Sequence, residues 1–235
     1  MQLNLSYVLL TLLLLCSVAM LLLSLAIRDW AHSEVWKVRD DASNEAPVRS
    51  GDVEMGLLKM CSDADFGLGV RSDCLKLRDA LRQEEDFVLA TLSLSFLSLA
   101  LLLLAVQMAL SLYNMLAVPT ENWLRDYGIV VVSIMEAVSI SLVVILFATC
   151  FIRMRQDGTM LPSELQASNS EQFNSQNERL GYAFYLMFVE LVLICVRTVM
   201  VMMFGSSVRS TRKANAGVVY TIKAATPLSD KNLMY

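Results

Sequence analysis

The chain has 235 residues, of which 56% are hydrophobic and only 18% charged. Its mean hydropathy of +0.53 and apolar runs too long for a soluble core set it apart from an ordinary soluble domain. A net charge of −4 excludes nucleic acid as a partner, because that would call for a basic surface.

The first apolar run, 7–27, carries no charge and is long enough to cross a hydrocarbon core of about 30 Å, which takes roughly 20 residues. Ser24-Leu25-Ala26 has the small residues of a signal-cleavage site. The run nevertheless lacks a basic segment before it and is longer than a signal peptide's apolar region, so a retained helix is expected. A long polar segment, 28–86, follows. Bulky and charged residues alternate in Val35-Trp36-Lys37-Val38-Arg39, in Asp52-Val53-Glu54-Met55 leading into Gly56-Leu57-Leu58-Lys59-Met60-Cys61, and in Cys74-Leu75-Lys76-Leu77-Arg78. That pattern predicts three short strands. The second apolar run, 87–113, is again uncharged. A short turn, 114–128, contains Pro119 and leads to a third run, 129–152, which carries Glu136. Residues 153–182 are rich in Ser, Asn, Gln and Glu and are expected to form a flexible loop. The fourth run, 183–204, carries Glu190 and Arg197, and 205–235 is expected to be a flexible tail. Each apolar run should be a helix, since unpaired backbone groups are costly in lipid. The fold class is therefore an all-α, four-helix transmembrane bundle in one membrane domain, with a small antiparallel sheet outside the membrane.

Four spans put both termini on one side. Arg209, Arg212 and Lys213 follow the last span closely, which places that side in the cytoplasm. The loop 28–86 holds nine basic residues, but loops of that length translocate largely regardless of charge. Cys61 and Cys74 are the two cysteines outside the spans and their ends. Both lie in this loop, 13 residues apart, and read as a disulfide in an oxidising compartment. Zinc is the alternative, yet two cysteines cannot complete a tetrahedral site when the chain's one histidine, His32, is distant in sequence. No Asn-X-Ser/Thr acceptor occurs in either outer loop, although Asn4-Leu5-Ser6 matches on the cytoplasmic side. The location expected is the plasma membrane.

Charges within a span are costly and mark candidate functional residues. Glu136 and Arg197 lie at similar depth and are expected to pair. Glu190 is two turns above Arg197, about 10 Å by helical rise, and is expected to stand too far for contact. A structural ion pair is preferred over a seam that binds an ion or a partner helix. Ser133, Ala137 and Ser141, with Ala105 and Ala109, form small-xxx-small patterns, for which packing inside the bundle is preferred over a dimer face. Asp63, Asp65 and Glu84-Glu85-Asp86 are expected to form a solvated surface. Arg209-Ser210-Thr211-Arg212-Lys213 fits an anchor to anionic lipid that phosphorylation of Ser210 or Thr211 would weaken, and equally a topology signal alone. Leu233-Met234-Tyr235 is a weak match for strand addition to a cytoplasmic scaffold. No catalytic, metal-binding or cofactor-binding pattern is present in the sequence, so an enzyme is not expected.

Trp36, Gly56-Leu57-Leu58, Cys61 and Cys74, all between the first two of four spans, resemble the signature of the claudin superfamily. That group includes claudins, epithelial membrane proteins, peripheral myelin protein and stargazin-like channel regulators. Its signature has a Trp, a Gly-Leu-Trp followed after two residues by Cys, and a second Cys about ten residues later. Leu58 stands where the signature has its second Trp, and the cysteine spacing is longer than usual. Trp30 competes with Trp36 for the first position, and Trp36 fits the distance to Gly56 better. Arg78 or Arg82 could match the Arg that claudins place before their second helix. The resemblance implies a left-handed four-helix bundle under a sheet made mostly by the first outer loop. It further implies a structural protein of cell–cell contacts acting through lateral and trans contacts, in homo-oligomers or with claudin-like partners. The alternative it implies is an auxiliary subunit of an ion channel or receptor.

Overall fold

The structure is a computed structural model that describes residues 5–38, 48–65, 70–81, 83–116, 126–157, 160 and 172–225. Helix α1 (Leu5–Ala26) is followed by strands β1 (Ala31–Val38), β2 (Val48–Met55), β3 (Lys59–Asp65) and β4 (Val70–Lys76). A single helical turn, α2 (Leu77–Ala80), leads to the long helices α3 (Glu84–Leu116) and α4 (Asp126–Asp157). Strand β5 (Gln172–Leu180) and helix α5 (Tyr182–Ala225) complete the described chain.

Four helices are long and apolar enough to cross a membrane, at Val8–Ala26, Glu84–Leu116, Tyr127–Asp157 and Tyr182–Met203. At 1.5 Å per residue, α3 is about 50 Å long and overreaches the hydrocarbon core. Its acidic first turn, Glu84 to Asp86, sits at the positive end of the helix dipole. The tail expected to be flexible from 205 instead begins as helix, because α5 continues to Ala225. Residues 226–235, with Leu233, Met234 and Tyr235, lie outside the described residues.

The spans form a ring in which α1 touches α3 and α5, and α4 touches the same two. Buried positions recur at alternating steps of four and three: Leu10, Leu14, Ser17, Leu21 and Ser24 in α1, and Ala90, Ser93, Leu97, Ala100, Leu104, Gln107, Ser111 and Asn114 in α3. The same steps link Ile129, Ser133, Glu136, Ile140, Val143, Phe147, Cys150 and Met154 in α4, and Ala183, Met187, Glu190, Ile194, Arg197 and Val201 in α5. A repeat of 3.5 residues is the spacing of left-handed helix packing. Apolarity does not mark this inner face, since lipid-facing positions such as Leu12, Leu102, Ile145 and Val192 are equally apolar. Most hydroxyls nearby bond their own helix, as Ser95 to the Thr91 carbonyl and Thr149 to the Ile145 carbonyl, so they need no partner in lipid. Of the small-residue patterns, Ser133 is buried and Ala137 and Ser141 are half-buried. Ala105 and Ala109 are exposed on the outside of the bundle, contrary to the internal packing expected of them, because the inner stripe of α3 runs through Leu104 and Gln107 instead.

At one end of the bundle stands a five-stranded antiparallel sheet in the order β4-β3-β2-β1-β5. Two features depart from the sequence reading. The segment 28–86 supplies four strands, not three, and the second loop supplies a fifth along the free edge of β1. The expected four-helix bundle with a small antiparallel sheet is present, and the sheet is larger than expected. Strand β5, QFNSQNERL, lacks apolar alternation. It forms because an open edge of β1 would otherwise present unpaired backbone groups. The described part of 172–180 is thus ordered strand, not flexible loop.

Candidate functional site

The sheet is joined to the bundle through the short link between α1 and β1. Arg28, Asp29 and Trp30 lie in it, and each is held by different elements. The Trp30 side chain is fully buried. Its indole N–H donates to the Ser24 carbonyl at 2.7 Å, and its ring meets Phe147 of α4 at a centroid distance of 5.0 Å. Phe147 in turn meets Phe184 of α5 at 6.0 Å. The Trp30 backbone N–H donates to Met55 O, and its carbonyl accepts from Gly181 N–H. One residue therefore ties α1, β2, α4 and the link between β5 and α5. Trp36, which spacing favoured for the signature position, is half-buried on β1 and donates only to Glu34 at 3.4 Å. Of these two, Trp30 is the deeply packed one.

Asp29 caps α5 from outside its own segment. Tyr182 N–H donates to Asp29 Oδ2 at 3.1 Å and Ala183 N–H to the Asp29 carbonyl at 3.0 Å. These are two of the orphan donors of a helix start, and α5 has no acidic residue of its own in its first turn. The approach requires glycine at 181, where a Cβ would fall 2.2 Å from Asp29 O. Gly56 is similarly confined, with a Cβ position 3.2 Å from Arg28 Cα and 3.3 Å from Lys59 O. Leu57 beside it is buried, while Leu58 is half-exposed.

Cys61 and Cys74 face each other directly across β3 and β4, with Cα atoms 4.1 Å apart, and are joined as a disulfide. Arg28 Nη1 lies 3.3 Å from Cys61 Sγ and 3.4 Å from Cys74 Sγ. The double variant C61S/C74S should lose about 3 kcal/mol of sheet stability, the entropic contribution of closing a loop this short. Limited proteolysis in detergent checks this, with faster cleavage in 48–81 expected and an unchanged α3–α4 fragment.

One face of the sheet packs inward through Ala31, Ser33, Val35, Val53, Met55 and Met60. The other face carries a charge network. Arg49 binds Asp52 at 2.7 Å and Glu34 at 3.4 Å. Glu34 also accepts a 2.7 Å bond from Asn177 Nδ2. Asn177 has φ 53°, a left-handed conformation that asparagine tolerates, at the irregularity where β5 gains a residue against β1. The Asn177 hydrogen bond, then Arg49 and Trp36, hold the Glu34 carboxyl below its ordinary 4.5. A lowered carboxylate pKa stabilises the fold at neutral pH, and that contribution is lost as pH falls below 4.5 through the lowered value. E34Q should therefore remove part of the acid-induced loosening of the β1–β5 pairing, read as amide exchange against pH.

A second polar set lies inside the bundle. Arg197 Nη2 contacts Glu136 Oε1 and Oε2 at 3.1 and 3.2 Å, and Glu190 Oε1 at 3.1 Å. Gln107 Nε2 donates to Glu136 Oε2 at 2.6 Å, and Ser133 Oγ lies 3.3 Å from Gln107 Oε1. Ser17 of α1 neighbours the Glu190 carboxylate. The Glu136–Arg197 pair expected from depth is present. The expected separation of Glu190 from Arg197 is not, because their long side chains bridge two turns on one face. All three charges are buried within the bundle, so none faces outward.

Asp86, expected in a solvated surface, is buried, with Oδ1 3.7 Å from Arg153 Nε. Glu85 also pairs with Arg153. Asp63 and Glu84 are exposed as expected, and Arg82 lies outside the described residues. No group of three or more His, Cys, Asp or Glu placed to hold a metal occurs among the described residues. No family model matches the chain, and no curated protein sequence matches it.

Proposed function

We propose that this chain is a claudin-like structural protein of cell–cell contacts, which displays its sheet outside the plasma membrane and acts through lateral and trans protein contacts without catalysis. The observation that carries the proposal is the coupling of the sheet to the bundle. The disulfide closes β3 onto β4, β5 closes the β1 edge, and Trp30 and Asp29 bolt the sheet onto α1, α4 and α5. A platform held at this many points is rigid, and rigid surfaces bind partners with little ordering cost. The sequence resemblance in Trp36 or Trp30, Gly56, Leu57, Cys61 and Cys74 supports the same reading.

The alternative, an auxiliary subunit of a channel or receptor, would most naturally use the intramembrane charges against a partner helix. Glu136, Glu190 and Arg197 face one another inside the bundle, which speaks against that use and supports the sheet as the recognition surface. The test is a mixed culture of cells expressing and lacking a tagged protein. Enrichment at borders between two expressing cells, and not at borders with non-expressing cells, is the expected result. Uniform surface labelling with a copurifying channel would establish the alternative.

A further inference from the structure

The end of the sheet nearest the bundle carries a row of unbalanced positive charge. The turn between β2 and β3 is closed by a 2.8 Å bond from Gly56 N–H to the Lys59 carbonyl. Lys59 stands directly opposite Lys76 across β3 and β4, and like charges in that position are destabilising. Both lysines are exposed, and neither has an ion-pair or hydrogen-bond partner among the described residues. A third cation joins them. Gly56 has no side chain, and the Arg28 backbone fills that space, its Cα 3.2 Å from where a Cβ would stand. The exposed Arg28 side chain then crosses the sheet until Nη1 lies 3.3 and 3.4 Å from the sulfurs of Cys61 and Cys74.

Side chains two apart on a strand share a face, so Lys59 points with Cys61 and Lys76 with Cys74. The three cations therefore lie together on the outward face, separated by steps of about 5 Å between strands and about 7 Å along them. Glu54, the register partner of Cys61, shares this face but makes no ion pair among the described residues, and it offsets at most one of the three charges. The row is also at a defined depth. Arg28 follows the span Val8–Ala26 by two residues. Lys76 ends β4, and the next N–H, from Leu77, bonds the Leu58 carbonyl at 3.2 Å. Leu58 itself is half-exposed at the turn. An apolar tip beside basic residues, at the level of a span end, suits contact with anionic headgroups.

We propose that Arg28, Lys59 and Lys76 bind the phosphate of an anionic phospholipid in the leaflet beneath the sheet. The guanidinium offers a planar fork of donors and the two ammonium groups act as point charges. A phosphate between the lysines relieves their mutual repulsion. A zwitterionic lipid is the poorer ligand, because these cations repel its ammonium. The proposal rests on α1 spanning a bilayer, and it is independent of the cell-contact reading.

The experiment uses the full-length protein in nanodiscs of equal phosphatidylcholine and phosphatidylglycerol, with the lipids retained on release counted by native mass spectrometry. The wild type should retain one phosphatidylglycerol more than K59Q/K76Q, in which occupancy of that position falls about tenfold. Phosphatidylcholine counts should be equal in the two. R28Q should lose the same lipid while its Cys61–Cys74 bond stays oxidised, which reports an intact sheet. R179Q, which removes an exposed arginine on β5 at the other edge of the sheet, should retain lipid as the wild type does. Dihexanoyl phosphatidylglycerol should displace the lipid, and inorganic phosphate should not. Equal retention by the wild type and K59Q/K76Q, an equal loss in R179Q, or displacement by inorganic phosphate would each overturn the proposal.

Discussion

Arg197→Leu should lower the stability of the bundle by about 3–5 kcal/mol, the cost of leaving buried charge without its partner. The loss arises because Arg197 answers two carboxylates at once, Glu136 on α4 and Glu190 on its own helix. Adding E136Q and E190Q to R197L should recover much of the loss, since the buried charges are then gone and Gln107 and Ser133 remain as hydrogen-bond partners. The same geometry fixes the outcome of reversing the charges. Each single reversal, E136R or R197E, should lower surface expression. The double reversal should restore it only in part, because a carboxylate at position 197 then faces Glu190, and adding E190Q should complete the rescue. Thermal unfolding in detergent measures the first series and surface labelling the second. An R197L variant as stable as the parent would remove the ion-pair account.

The second large effect separates Trp30 from Trp36. Trp30→Ala should cost about 3–5 kcal/mol, as for other fully buried aromatic truncations, and should loosen α1, α4, α5 and the sheet together. Trp36→Ala, on the half-buried face of β1, should cost about 1 kcal/mol or less. Unfolding of the two variants, read by near-ultraviolet circular dichroism and protease resistance, separates them. Equal effects would show that burial at the seam is not what Trp30 supplies.

The four spans were legible because a bilayer admits few alternatives: a chain crossing lipid must satisfy its backbone internally. Apolarity could not identify the inner face of each helix, since both faces are apolar. The polar residues could, and Ser17, Gln107, Ser133, Glu136, Glu190 and Arg197 mark it well. The cysteine pair was legible from its isolation in one segment. Strand β5 was not, because its pairing is imposed by the neighbouring edge and not by its own pattern. Glu190 was misjudged because helical rise measures backbone separation and leaves out the reach of arginine and glutamate side chains. Asp29 carried no sequence signal as a cap, since the helix it caps begins 153 residues away.

The orientation proposed for the four spans puts the sheet outside the cell and both termini within. It is tested most directly by placing one epitope between residues 39 and 47, which join β1 to β2, and a second after Tyr235. In intact cells the first epitope should be labelled and the second should require permeabilisation. Labelling of the C-terminal epitope in intact cells, with the 39–47 epitope protected, would contradict the account.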